Sequence, residues 1–189
     1  KSKIFKYKAN DLTADACWSF LNIFFKELSG KTAIIYGSGN IGFKLSLKLI
    51  ECGCKVNLIS KDPYKFSNMV LSLNNIKTIG AISEISISDN KIYPFVNADV
   101  IIGCTNTVPV ITKQMVKTMS QKGLIIDLGK GTITDDAIKE AARKKIKTWR
   151  VDVGPMIDSI VSSSLSISNL FYNLSGKRLI ENNFYLVSG

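Results

Sequence analysis

The sequence predicts an α/β protein, a doubly wound parallel sheet of about six strands with flanking helices. Three observations carry that expectation. Short apolar runs rich in Ile, Val and Leu alternate with helical stretches along the chain. Gly and Pro fall at the boundaries, where helices and strands start and stop. A glycine-rich segment, residues 37–42, separates the first apolar run from the helix after it. Strands alternating with helices of this length mean βαβ units.

The elements follow in order. Asn10 or Asp11 can cap a helix that runs to residue 28, with Ser29 and Gly30 ending it. Residues 31–36 read as a buried strand. A helix over 43–52 is closed by Gly53, and 55–60 form the second strand. Asp62-Pro63 opens the next helix, with Pro in the first turn, where its missing N–H costs nothing. Residues 76–90 are ambiguous: Ile76, Ile79, Ile82, Ile85 and Ile87 fit a short third strand and a loop. A short helical segment is expected within 89–97, and strands at 98–104, 123–128 and 147–153. Helices are expected over 112–120, from Thr134 with acids in its first turn and bases in its last, and over 155–174. Residues 184–189 again read as a strand.

A length of 189 residues fits one domain. That is enough chain to bury about 70% of its unfolded surface. With 46% hydrophobic and 21% charged residues, disorder is excluded. There is no histidine, which excludes Ser-His-Asp and Cys-His devices and His-ligated metal. Cys17, Cys52, Cys54 and Cys104 show no metal or dithiol spacing and are expected as free thiols in a reducing cytoplasm. No apolar run approaches the roughly 18 residues of a membrane span, and no signal-peptide pattern occurs. The formal charge of +10 is spread along the chain, with 22 Lys against 3 Arg and no interleaved aromatics. Nucleic-acid binding is therefore not expected.

The segment Gly37-Ser38-Gly39-Asn40-Ile41-Gly42 is GxGxxG, and its context makes it informative. It follows an expected strand, opens a helix, and leads to a second strand. That is the setting of a dinucleotide site in a Rossmann domain. Gly37 allows the tight turn, Gly39 lets backbone approach a pyrophosphate, and Gly42 lets helix pack on strand. The helix N-terminus offers free N–H donors to the phosphates. NAD sites place Asp or Glu at the end of the second strand. Here Ser60-Lys61 stand there, which favours the 2′-phosphate of NADP, while Asp62 keeps NAD in play. Further loops reach the same crevice. Cys104, Thr105, Asn106 and Thr107 are expected on the nicotinamide side, and Gly129 and Gly131 are read as allowing close approach of a flat ring. Lys130, Asp127, Asp152 and Cys104 are the only candidates for chemistry, each weaker than a plain loop role.

From residue 28 to 155 the chain resembles the dinucleotide domains of glutamyl-tRNA reductase, shikimate dehydrogenase, methylenetetrahydrofolate dehydrogenase and S-adenosylhomocysteine hydrolase. The residues that carry the resemblance are Leu-Ser-Gly-Lys31, Tyr-Gly-Ser-Gly-Asn-Ile-Gly42, Ala-Asp-Val-Ile-Ile-Gly-Cys-Thr-Asn106, Val-Ile-Thr-Lys-Gln-Met-Val116 and Lys-Gly-Leu-Ile-Ile-Asp-Leu-Gly129. The resemblance implies a cofactor core over 31–153, and connecting helices over 10–29 and 155–174 that join it to a separate catalytic domain. The whole of 1–189 is then one domain of a larger cytoplasmic protein acting on a small-molecule substrate, with NADP or NAD as cofactor. The near-continuous apolar circumference of the first helix, from Leu12 to Leu28, fits packing on that domain or on a second subunit. A dinucleotide-sensing module without turnover is the alternative function.

Overall fold

In the computed structural model, residues 4, 6–89, 93–106, 109–172, 177–182 and 184–187 are described. The chain runs α1 (Ala9–Phe25), β1 (Thr32–Tyr36), α2 (Asn40–Glu51), β2 (Lys55–Ile59), α3 (Pro63–Ile76) and β3 (Ile85–Ser88). After a single 3₁₀ turn at Tyr93–Phe95 come β4 (Val100–Gly103), α4 (Lys113–Thr118), β5 (Leu124–Asp127), α5 (Asp135–Arg143) and β6 (Lys147–Arg150). The helix α6 (Gly154–Tyr172) and an antiparallel pair, β7 (Lys177–Glu181) and β8 (Phe184–Val187), follow.

The six-stranded sheet has the order β3-β2-β1-β4-β5-β6, and every pairing in it is parallel. This is the Rossmann order, reversing direction between β1 and β4. The central strands are apolar except for Thr32 at the start of β1 and Asp127 at the end of β5, because both faces are covered. Alternation divides β1: Ala33 and Ile35 join the core under α1, α2 and α3, whereas Ile34 and Tyr36 join the core under α4 and α5. The first core takes Leu45, Leu49 and Ile50 from α2 and Cys17 and Leu21 from α1. The second takes Met115 and Val116 from α4 and Ala137 and Ala141 from α5.

The differences from the sequence expectation have local causes. Helix α1 begins at Ala9 with Lys8 at the N-cap and no side-chain cap; Asn10 and Asp11 lie inside it. Asp11 instead pairs with Lys44 of α2, and Asp15 pairs with Lys48 at 2.7 Å. These two pairs sit one turn apart and set how α1 lies along α2, although at this exposure each contributes little to stability. Lys26, at φ 63°, ends the helix before Ser29-Gly30 is reached. Helix α2 starts at Asn40, inside the glycine segment. Helix α3 opens at Asp62-Pro63 as read, with Pro63 in the first turn, and the Asp62 carboxylate caps it, accepting from the Lys65 N–H at 3.2 Å.

In the ambiguous stretch the strand is Ile85–Ser88, and only Ile85 of that isoleucine series is buried. Ile79 and Ile82 are exposed. Besides its parallel pairing with β2, this edge strand is held by Asn74, whose amide donates to the Ile85 carbonyl and accepts from the Ile85 N–H, both at 2.9 Å. The side chain acts as a local strand partner.

All four cysteines are free thiols. Cys52 accepts from the Trp18 indole N–H at 3.3 Å. Helix α1 buries one face in this chain; Ile23 is 78% exposed.

Replacing Asn74 by Ala removes two hydrogen bonds to β3 and should cost about 1–2 kcal/mol. Urea unfolding checks this, and an unchanged midpoint would show that β3 does not depend on the amide.

Candidate functional site

The site forms where the sheet reverses. In such sheets ligands bind outside the carboxyl ends of the strands at that point. The loop after β1 and the loop after β4 meet there. The Gly37 N–H donates to the Ile59 carbonyl at 3.1 Å, and the Cys104 N–H donates to the Tyr36 carbonyl at 2.8 Å. These ladder-like bonds fix both loops to the strand ends.

Three glycines have three different reasons to be there. Gly37 has φ 125°, and a Cβ on it would lie 3.0 Å from the Cys104 carbonyl carbon and oxygen. A Cβ on Gly42 would collide with the Gly37 carbonyl oxygen, so helix and turn touch backbone to backbone. A Cβ on Gly39 would meet nothing within 4 Å. Gly39 therefore faces open space, at the N-cap of α2, where no side chain caps the helix. Asn40 is exposed and Ile41 half-buried in the first turn. The unfilled N–H donors and the positive end of the helix dipole point to the same place.

Ser38 and Ser60 are hydrogen-bonded hydroxyl to hydroxyl at 2.9 Å, and the Asp62 N–H donates to Ser60 Oγ at 3.2 Å. Ser60 is buried, so its hydroxyl ties the glycine loop to the end of β2. Lys61, by contrast, is exposed. Beside them a cavity of about 330 Å³ opens between Pro63, Tyr64 and Ser67 of α3 and Ile87, Ser88 and Asp89.

On the other side, Thr105 packs its methyl toward Gly37, while its buried Oγ1 has no partner. A buried hydroxyl without a partner costs about 1–3 kcal/mol. Asn106 is exposed next to it, and Thr107 lies outside the described residues. Gly129 is close to these residues for a different reason from the one read in the sequence. The space of its missing side chain is filled by the Thr105 carbonyl and the Thr132 methyl. Its smallness brings two loops together and leaves no gap there for a flat ring.

Of the four candidates for chemistry, Cys104 is a raised-pKa thiol, Asp127 and Asp152 hold loops, and Lys130 stands exposed at the surface. Burial, and then the charge of Asp127, push the Cys104 thiol up to about 12, so it is no thiolate nucleophile. Asp127 accepts from the Gly129 N–H at 3.1 Å, the Gly131 N–H at 2.7 Å, and the Thr132 N–H and hydroxyl at 3.3 and 2.9 Å. Burial alone would raise its pKa, but these four bonds outweigh burial and hold the carboxyl below its ordinary value. Asp127 thus organises the loop after β5. Asp152 accepts from the Gly154 N–H at 2.9 Å and starts α6. Lys130 is exposed at φ 64°.

Sequence reasoning missed Thr132 and Gly103. Thr132 is fully buried and fills the space where a Cβ on Gly103 would stand. The signal was the run Asp127-Leu-Gly-Lys-Gly-Thr132, a carboxylate followed at short range by two glycines and a hydroxyl.

A nicotinamide dinucleotide fits this geometry. The space over Gly39 is open enough for a diphosphate, and the buried Thr105 hydroxyl beside the turn is unpartnered. Comparison with known proteins agrees. Residues 24–161 match the model of the family described as "Putative NAD(P)-binding", and the chain belongs to that family. It is an NAD(P)-binding Rossmann domain. No curated protein matches it in sequence.

Similar solved structures include a dipicolinate synthase chain from Bacillus halodurans, at TM-score 0.60 and 16% identity over 84% of this chain and 55% of that one. A shikimate dehydrogenase in complex with NADP+ aligns at TM-score 0.54 and 16% identity, over 74% of this chain and 50% of its own. D-lactate dehydrogenase from Salmonella aligns at 0.58 and 19%, over 78% and 49%. The chain spans about half the length of each of these. At such identities the likeness is one of fold.

Two outcomes are expected. Gly39→Val, which meets open space, should leave the fold intact and abolish dinucleotide binding; a variant that binds in calorimetry would remove the phosphate role of the loop. Asp127→Asn should lower stability only where the native carboxylate is ionised. Since its folded pKa lies below the unfolded value of about 3.9, the stabilisation is full above that pH and is lost as pH falls through the folded pKa. Urea midpoints of native and variant protein should therefore differ at neutral pH and converge well below pH 4.

Proposed function

We propose that this chain is the cofactor-binding part of an oxidoreductase that moves hydride between NADP(H) and a small substrate. The observation that carries the reading is the uncapped start of α2 over Gly39, set beside the unpartnered hydroxyl of Thr105 at the sheet's reversal point. In this reading the turn of Gly37, Ser38, Gly39, Asn40, Ile41 and Gly42 holds the diphosphate through backbone N–H groups. Ser60 and Lys61 take the adenosine ribose, and Cys104, Thr105 and Asn106 line the nicotinamide side, with Gly129 supporting them from behind. The cofactor supplies the redox chemistry, and the protein supplies binding and orientation.

The NADP preference is supported by two features. Lys61 is exposed and makes no ion pair among the described residues, so its ammonium is available to a 2′-phosphate. The Asp62 carboxylate is engaged in capping α3, which draws it from the place where an acid would take a ribose diol.

The catalytic groups lie outside the described crevice in this reading, on a separate domain or a second subunit. Support comes from the structural commitments of Cys104, Asp127 and Asp152, and from Ile157, Val161, Leu165, Ile167 and Leu170 of α6, which are all exposed. Among the described residues no helix is long and apolar enough to cross a membrane. A cytoplasmic setting, with no nucleic-acid or membrane partner, completes the proposal. The engagement of Asp127 and Asp152 in loop hydrogen bonds among the described residues also favours one other reading, a dinucleotide-sensing module whose occupancy alters a partner contact.

Calorimetry with NADPH and NADH tests the preference. NADPH should bind more tightly, and Lys61→Ala should cost NADPH about tenfold, or 1.4 kcal/mol, while leaving NADH unchanged. Equal affinities, or tighter NADH, would refute the role given to Ser60 and Lys61.

A further inference from the structure

The opposite end of the sheet carries a separate feature. Around the amino ends of β1, β4, β5 and β6 the loops leave an open cavity of about 900 Å³. Six cations from three stretches of sequence line it: Lys31, Lys122, Arg143, Lys144, Lys145 and Lys147. One carboxylate, Asp99, shares the lining, 3.8 Å from the Lys31 ammonium. Along the helix that starts at Thr134, the acids Asp135, Asp136 and Glu140 accompany the bases near 143–147. In the fold those acids do not line the cavity, whereas Lys31 and Lys122 join it from elsewhere.

The cations are not equivalent. Lys144 caps α4, donating to the carbonyls of Val116, Lys117 and Met119 at 2.8–3.1 Å. Arg143 lays its fork on Glu140, with Nη2 at 2.6 Å and Nε at 3.1 Å from the carboxylate. Lys122, Lys145 and Lys147 are exposed and have no carboxylate partner among the described residues. Two half-buried rings steady part of the set: Lys147 stands 5.3 Å over Phe24, and Lys31 stands 5.7 Å over Phe25. Such contacts hold an ammonium in place without neutralising it.

A concave site with an excess of one sign of charge concentrates ions of the other sign. The kind of ion follows from the donors. Planar carboxylates are best met by a guanidinium fork, and the one fork here is already taken by Glu140. What remains is a set of separate ammonium point charges, which suit the several oxygens of a phosphate chain. The volume is within the ordinary range for a small-molecule site.

We propose that this cavity is a second binding site, remote from the dinucleotide crevice, for a small molecule that carries a di- or triphosphate chain. It stands on the geometry of the sheet's amino end and does not depend on the identity of the crevice ligand.

The test titrates inorganic triphosphate into the full chain by calorimetry at about 0.15 M salt, where diffuse surface attraction is largely screened. One saturable site is expected, and it should persist when the protein is first saturated with NADPH. Lys122→Glu combined with Lys147→Glu should weaken triphosphate at least tenfold and leave NADPH affinity unchanged. If that pair fails to fold, Lys122→Gln alone should still weaken triphosphate measurably. Absence of saturable binding, an affinity unmoved by these variants, or displacement of triphosphate by NADPH would each overturn the proposal.

Discussion

The backbone of α2 at Gly42 lies against the carbonyl oxygen of Gly37, with no room for a side chain between them. This contact lets the helix begin at Asn40, directly after the turn, and so brings its unfilled N–H groups to the end of β1. A larger residue at position 42 would push the helix start away, and the donors would no longer converge. Gly37 plays the complementary part toward the neighbouring strand, since its turn runs against the Cys104 carbonyl. Two glycines thus lock β1, α2 and the loop after β4 into one rigid corner. Gly39, between them, is left bare.

The rest of the carboxyl end supports that corner. The Ser38–Ser60 hydroxyl bond ties the turn to β2, and Asp127 gathers the loop after β5 through four hydrogen bonds. Thr132 then fills the space that Gly103 leaves, and Gly129 receives the Thr105 carbonyl. A preorganised site is built this way: polar groups that look catalytic in a sequence spend their hydrogen bonds on holding loops. The buried hydroxyl of Thr105, beside the glycine turn, is left without a partner. Among the described residues of the crevice, Asp127 and Asp152 are both spent on loop hydrogen bonds.

The parallel α/β sheet, the glycine turn and the Asp62-Pro63 helix start were legible because each rests on local rules that tertiary contacts do not override. Buried parallel strands read as near-continuous apolar runs, and β1, β4 and β5 do, apart from Thr32 at the start of β1 and Asp127 at the end of β5. The start of α1 was not legible, because Asp11 looks like a cap and is instead held by Lys44 from another helix. The bounds of β3 within the isoleucine series were not legible, because the strand's start is fixed by a polar side chain, Asn74, that pairs with Ile85. The role of Gly129 could not be read either, since a glycine that admits a ligand and one that admits a neighbouring carbonyl look alike in a sequence. The charge cavity at the other end was invisible for a related reason, because its cations come from distant parts of the chain.

The central claim is that a nicotinamide dinucleotide binds across the corner formed by Gly37, Gly39, Gly42 and Thr105. The most direct measurement is amide chemical-shift mapping by NMR during titration with NADPH. The largest changes should fall on residues 37–42, on Lys61 and on Thr105 and Asn106, with little movement at Lys122 or Lys147. Shifts confined to the amino end of the sheet, or a saturable titration that leaves the glycine turn unmoved, would contradict it.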